Sequence, residues 1–327
     1  MGTLLAIDGN SLGHRAFHAR AQDAPTGPHV TGTFVRMLAT VWSQGPYDAV
    51  LVGFDAPDNR RKEEYPEYKA GRAPSPPGLH DQLDALRAHL SDCGVAVVSR
   101  PGAEADDVLA AAADGAQTRG WRCDVFSSDR DLTALVGPAV RLLRPRATMS
   151  DLVIDDEAGV RRAYGIEPWQ YTDLAALRGD PSDGLDGVHG IGPKTAARLL
   201  RDYGSVPGIY ESLHDLDPRI EGLLRAGRER VERNLLLMAP IPRLDLDVDH
   251  CLTCAVDLDR FERVLGPLGL TSAARRLVGA FQAPALPPMP PPPVEEEADG
   301  ATVTPLRRRA PGRHVAEPVV GEQAALF

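Results

Sequence analysis

A succession of short apolar runs, each giving way to an acid, restricts the fold of this chain more than any other feature. Thr3 to Ile7 leads into Asp8, and Ala49 to Phe54 into Asp55. Val95 to Ser99 precedes Glu104, Asp106 and Asp107, while Arg122 to Phe126 precedes Asp129 and Asp131. Runs of this length rich in β-branched residues read as strands, and the stretches between them, such as Leu79 to Leu90 and Glu104 to Thr118, carry helical periodicity. The alternation predicts an α/β fold built on a parallel sheet. Ligands of such sheets bind beyond the C-terminal ends of the strands, so the sheet would bring these distant carboxylates to one rim.

One acid after a strand is ordinarily a solvated turn residue or a helix N-cap. Four such sites in succession imply a cluster, and crowded carboxylates persist mainly where divalent cations neutralise them. All-oxygen ligation points to Mg²⁺ or Mn²⁺, and two such ions suit an in-line phosphoryl displacement by water. A further pair, Asp180 and Asp183, lies in Gly-Asp-Pro-Ser-Asp-Gly, a sequence that also suits an ordinary Asx-turn.

The formal net charge is −10, which taken alone argues against a nucleic-acid partner. Acids concentrated around cations would change that balance, leaving basic residues elsewhere free to follow phosphates. Of the 36 basic residues only Lys62, Lys69 and Lys194 are lysines, each a compact ammonium where arginine is otherwise preferred. The longest apolar runs are strand-sized, far short of the roughly 18 residues a membrane helix needs. No export segment opens the chain, so the expectation is a cytoplasmic protein that does not enter a membrane. Four cysteines are too few for a disulfide scaffold, and Cys251-x-x-Cys254 beside His250 supplies too few ligands for a structural zinc site, so plain thiols are expected.

From residue 56 to 77 the chain is polar, basic and aromatic, with Pro57, Pro66, Pro74, Pro76 and Pro77, and reads as a long functional loop rather than a core element. Its cations alternate with Tyr65 and Tyr68, as in a single-strand channel where charges meet phosphates and rings meet bases. From Asp155 to about Gln282 the pattern is mainly helical. Within it, Gly187 to Leu200 is a glycine-rich hairpin feeding a helix near Pro193. Gly190 and Gly192 would let backbone N–H groups approach a phosphate, with Lys194, Thr195 and Arg198 on the following turn. Beyond Pro284 a proline-rich stretch, an acidic run and an arginine run predict a disordered tail. The expected organisation is a catalytic domain over residues 1–178 with an arch at about 56–78, a helical DNA-binding region over 179–283, and a tail over 284–327.

Taken in order, Ala-Ile-Asp8-Gly-Asn, Phe54-Asp55, Tyr68-Lys-Ala-Gly-Arg-Ala-Pro74, Gly102-Ala-Glu-Ala-Asp-Asp-Val108, Ser128-Asp-Arg-Asp-Leu132, Gly179-Asp-Pro-Ser-Asp183 and Gly190-Ile-Gly-Pro-Lys-Thr-Ala196 resemble the motifs of the bacterial 5′→3′ exonuclease and flap endonuclease superfamily. The likeness is to the 5′→3′ exonuclease domain of DNA polymerase I, in its stand-alone form, and covers residues 3 to 282. It implies a PIN-like α/β core, a helical arch and a helix-three-turn-helix that binds duplex DNA, often with a potassium ion. It also implies cleavage at 5′ flaps, nicks and frayed ends of DNA, RNA primers included, leaving 5′-phosphates. By position, Asp8, Asp55, Glu104, Asp106 and Asp129 would surround a first metal, with Asp131, Asp180 and Asp183 completing a second. Lys69 and Arg72 would contact the scissile phosphate, Arg15 would position the substrate, and Asp107 would stand beside the ligands. Gly184, Asp186 and His189 depart from the residues frequent at their positions, leaving both proposed ligands of that turn intact.

The final Gln323-Ala-Ala-Leu326-Phe327 resembles the Gln-x-x-Leu-Phe peptide with which bacterial replication proteins engage the sliding clamp. Two competing readings are a DNA-binding protein that keeps the fold without the chemistry, and a PIN-type ribonuclease. The full set of carboxylates disfavours the first, and the arch and hairpin segments disfavour the second.

Overall fold

The computed structural model describes residues 2–19, 28–146, 151–241 and 257–282, with Leu244, Leu246, Asp249 and Cys251 between the last two segments. The residues of the proposed clamp peptide, Gln323, Leu326 and Phe327, lie outside the described residues, as do His250 and Cys254.

Strands β1 (Thr3–Asp8), β2 (Ala49–Gly53), β3 (Ala96–Val98) and β4 (Arg122–Phe126) lie where the apolar runs place them. They join β5 (Val140–Pro145) and β6 (Leu152–Asp155) in a six-stranded sheet of order β3-β2-β1-β4-β5-β6. All neighbours are parallel except β5 and β6. Two strands therefore lie beyond those read from the sequence. Their arginines obscure the alternation: Arg141 pairs with buried Asp124 and Arg144 with buried Asp155, so charged residues occupy positions that are only half exposed.

Because neighbouring side chains on a strand point to opposite faces, Leu5 and Ile7 face one apolar layer and Leu4 and Ala6 the other. The first layer is closed by α1 (Gly9–His18), α2 (His29–Trp42), α4 (Leu79–Asp92) and the last two helices, α11 (Leu258–Leu265) and α12 (Thr271–Gln282). There Phe281 stacks on Trp42 at 3.6 Å between ring centroids. The second layer is covered mainly by α5 (Ala105–Thr118), whose alanines let the helix lie close to the sheet, with Val160 of α6 (Glu157–Tyr164) at its margin.

A third apolar cluster holds the helical region together: α7 (Tyr171–Arg178), α8 (Pro193–Tyr203), α9 (Val206–Glu211) and the long α10 (Pro218–Met238). Between α7 and α8 runs a two-stranded hairpin, β7 (Gly179–Asp180) and β8 (Leu185–Asp186), linked by a 3-10 turn over Pro181–Asp183. The hairpin is so tight that a side chain on Gly187 would bring its Cβ to 2.2 Å from the Arg178 carbonyl carbon. Cys93 and Cys123 are buried free thiols, Cys251 is buried, and no helix among the described residues is long and apolar enough to cross a membrane.

The segment from 56 to 77, expected as a long functional loop that does not pack as a core element, is packed in part. It contains helix α3 (Arg60–Glu64), capped by the Asn59 side chain, and it buries Arg61 and Tyr68. Tyr68 packs with Leu185 of the hairpin and Leu237 of α10, which supply an apolar floor that no local pattern announces.

Candidate metal centre

The sheet register sets the rim. Asp8 stands opposite Gly53 on β2, and Ile7 opposite Phe126 on β4, so Asp8, Asp55 and Asp129 all emerge from one edge. Each is fastened by backbone groups. Asp8 caps α1 through the Ser11 N–H at 2.8 Å and accepts from the Ser127 hydroxyl at 2.7 Å. The same Ser127 oxygen accepts the Asp129 N–H at 3.0 Å, tying β1 to the loop after β4. Asp55 accepts the Ala105 N–H at 2.8 Å, at the start of α5, and the Asn10 amide at 2.8 Å.

Glu104 is the N-cap of α5 in a capping box with Asp107. Its carboxylate also receives the Tyr68 hydroxyl at 3.0 Å, the Lys69 ammonium and Arg61. Burial opposes its ionisation, yet the charges of Lys69 and Arg61 outweigh that effect and hold the carboxyl below its usual range. Most of the other acids move the opposite way. Asp8 is pushed up to about 7 by burial, reinforced by Asp55 and Asp129. Asp131 is likewise pushed up to about 7 by burial and then by Asp129, Asp180 and Asp183. Asp55, Asp106 and Asp129 are raised by the protein packed around them and by neighbouring carboxylates; Asp129 shows this although its own surface is open to solvent.

Asp131, after β4, and Asp180 and Asp183, on the β7–β8 hairpin, converge from two segments, each offering an oxygen within 4.8 Å of the other two. Asp180 is held by the Ser182 N–H and hydroxyl, and buried Asp183 by Arg72. The donor set is all carboxylate oxygen, so these residues fit a hard divalent cation. Asp8, Asp55, Glu104, Asp106 and Asp129 form the adjoining part of the rim, linked by repulsion between neighbours rather than by convergence on one point.

Other expected site residues divide into those at the rim and those apart from it. Lys69 and Arg72 reach the carboxylates directly, Lys69 through a left-handed backbone with φ of 59°. Tyr68, expected to meet bases, is instead buried with its hydroxyl on Glu104, because α10 and the hairpin cover its ring. Tyr65 is half-buried beneath Arg233, which bonds its hydroxyl at 2.9 Å. Arg15 is half-buried and donates to the Arg146 carbonyl at the end of β5. Gly190, with φ of +83°, turns the chain towards Gly192, which opens α8, while Lys194 stays exposed and Thr195 and Arg198 are half-buried. Sequence reasoning missed Arg61 and Asn234. Arg61 sits among surface-type charges, and Asn234 carries no motif, so only tertiary contacts distinguish them.

The 5′-3′ exonuclease N-terminal resolvase-like domain matches residues 3–165, and the 5′-3′ exonuclease C-terminal SAM fold matches residues 166–257. DNA polymerase I of Mycobacterium tuberculosis is 38% identical over 238 residues, which cover 71% of this chain and 26% of that protein. The thermostable DNA polymerase I of Thermus aquaticus is 34% identical over 300 residues, covering 90% of this chain and 35% of that protein. This chain thus spans about a quarter to a third of the length of these curated relatives. Among solved structures, the T5 D15 protein co-crystallised with metal ions shares the fold at a TM-score of 0.60 and 21% identity, with 86% of this chain and all of that one covered. The catalytic core of Rad2 in complex with DNA substrate does so at a TM-score of 0.55 and 16% identity, covering 85% of this chain and 92% of that one. With both matched segments abutting at residue 166 and spanning the sheet, the carboxylate rim and the helical hairpin region, the chain belongs to the 5′-3′ exonuclease family.

Proposed function

We propose that this protein is a divalent-metal-dependent 5′-nuclease that hydrolyses phosphodiester bonds at 5′ ends and flaps of DNA, in primer removal and repair, in the cytoplasm. The observation that carries this reading is the convergence of Asp131, Asp180 and Asp183 beside the rim of Asp8, Asp55, Glu104, Asp106 and Asp129. Bound Mg²⁺ or Mn²⁺ would supply Lewis acidity to the phosphate and to the attacking water. Everything else falls to the chain's own groups.

Lys69 and Arg72 stand on the arch segment against the carboxylates, so a phosphate arriving at the rim meets two cations opposite the acids. Both stabilise charge that develops on the phosphate oxygens. Tyr68 and Arg61 hold Glu104 while Ser127 and Ser11 hold Asp8, fixing the directions of the carboxylates. The duplex would lie across Gly190, Gly192 and the start of α8, where backbone N–H groups and the helix dipole favour phosphate, with Lys194, Thr195 and Arg198 adding contacts that carry no sequence preference. A potassium ion at the same hairpin belongs to this reading, and its test is the K⁺ dependence of duplex affinity. The Gln323 to Phe327 peptide would dock on the sliding clamp, raising local concentration at DNA. Deleting it should abolish clamp binding and spare cleavage of free oligonucleotides.

The test is cleavage of a 5′-labelled flap duplex with Mg²⁺ or Mn²⁺, comparing the protein with Asp129→Asn. Metal-dependent cutting near the junction should fall in the variant by more than the roughly 10–100-fold typical of losing a group outside the ligand set. Flap binding without cutting by either protein would contradict the nuclease reading.

A further inference from the structure

Arg61 is charged yet only 5% exposed, whereas its neighbour Arg60 lies at the surface and pairs with Glu64. The buried guanidinium uses every side. It donates to both oxygens of Asp107 at 2.7 Å, to Glu104 at 3.2 Å, and to the carbonyls of Leu237 at 2.7 Å and Ala239 at 3.0 Å. Asp107, fully buried, completes its own bonding with the N–H groups of Glu104 at 2.9 Å and Ile241 at 2.8 Å. One side chain therefore joins α3 of the arch segment, the ligand-bearing start of α5 and the C-terminal end of α10.

Helix α10 extends from this junction to the DNA-facing hairpin. Gly227 packs directly on Val188, two residues before Gly190, and the Asn234 amide donates to the carbonyls of Ala176 at 3.1 Å and Asp186 at 3.0 Å. The guanidinium of Arg233 meanwhile lies over Tyr65 of the arch segment. A buried ion pair of this kind is either complete or costly, because loss of one partner strands the other's charge away from water. It is thus a discrete contact rather than a soft one.

We propose that Arg61 is a positioning residue, which by holding Asp107, Glu104 and the end of α10 together makes the placement of the Glu104 carboxylate depend on docking of the arch segment against α10. The catalytic consequence rests on the nuclease reading; the consequence for metal binding does not.

The test compares the full-length protein with Arg61→Lys and with the double variant Arg61→Met, Asp107→Leu. Lysine keeps the charge but lacks the fork that reaches five acceptors. Calorimetric Mn²⁺ titration without DNA should show the binding midpoint raised roughly tenfold in Arg61→Lys. Single-turnover flap cleavage should slow to a similar degree, with duplex affinity in Ca²⁺ unchanged. The double variant removes both buried charges, so neither is left stranded without its partner. It should not recover the Mn²⁺ midpoint. Should Arg61→Lys fail to fold, the double variant carries the test alone. Wild-type Mn²⁺ midpoint and cleavage in either folded variant would overturn the proposal, since a purely structural ion pair would behave that way. A wild-type protein that binds Mn²⁺ but leaves flaps intact would instead sink the nuclease reading, with Arg61 still judged by the Mn²⁺ midpoint.

Discussion

The backbone N–H of Lys69 donates to the carbonyl of Asp183 at 2.9 Å, while its ammonium lies 4.0 Å from the carboxylate of the same residue. The ammonium also rests on Glu104, so one lysine spans the two halves of the carboxylate rim. A cation in that position neutralises acids that a divalent ion must otherwise neutralise. Lys69→Ala should therefore tighten Mn²⁺ binding to the DNA-free protein by a few-fold at low salt, while slowing cleavage of a flap. Calorimetry and single-turnover rates read the two effects separately, and weaker Mn²⁺ binding in the variant would show that Lys69 supports the site rather than competing for it.

Asn234 is wholly buried and brackets the second carboxylate group from behind, through Asp186 of the hairpin and Ala176 of α7. Alanine there would strand both carbonyls, at roughly 1–3 kcal/mol for each one left without a donor. Chemical denaturation should report that loss, together with weaker Mn²⁺ binding, because Asp180 and Asp183 ride on the loosened hairpin. Stability unchanged within error would mean that water replaces the amide without cost.

The crossing of Gly187 over Arg178 leaves no space for a side chain. In Gly187→Ala the new Cβ would lie 2.2 Å from both the carbonyl carbon and oxygen of Arg178, backbone atoms that cannot swing aside. The expected cost is at least about 3 kcal/mol, the upper part of the overpacking range, measured as a lowered denaturation midpoint. A midpoint equal to that of the wild type would show that the hairpin can open at this crossing.

Asp173 provides a pH test away from the metal centre. Burial raises its carboxyl above the usual range, against the bond it accepts from the Val206 N–H at 2.8 Å. With the folded value above the unfolded one, the native state holds the proton longer, so stability is lost as pH rises from the unfolded value through the folded one. Asn keeps an acceptor without the charge. Asp173→Asn should melt higher than wild type at neutral pH, the difference shrinking to nothing as pH falls below about 4, the unfolded carboxyl range. A difference independent of pH would mean that the charge is not the cause.

Strands β1 to β4 and the acids beyond them were legible because each is a local signal: a β-rich run, then a carboxylate at its end or within the next few residues. The glycine turn and the start of α8 near Pro193 were legible for the same reason. What escaped depends on contacts between distant segments. Strands β5 and β6 were hidden by Arg141 and Arg144, whose charges are matched by Asp124 and Asp155 from other strands. Tyr68 looked like a ring for bases because its cover, Leu185 and Leu237, lies more than a hundred residues away in sequence. Arg61 and Arg60 are indistinguishable as letters, and contacts with Asp107 and the end of α10 decide which of them is buried.

The most direct measurement is an anomalous difference map at the manganese edge from crystals of this protein soaked in Mn²⁺. The account predicts a peak among the carboxylates of Asp131, Asp180 and Asp183, lost in Asp180→Asn along with flap cleavage. Cleavage that survives in Asp180→Asn, or manganese bound elsewhere with this cluster bare, would contradict the assignment of the cluster as the metal centre.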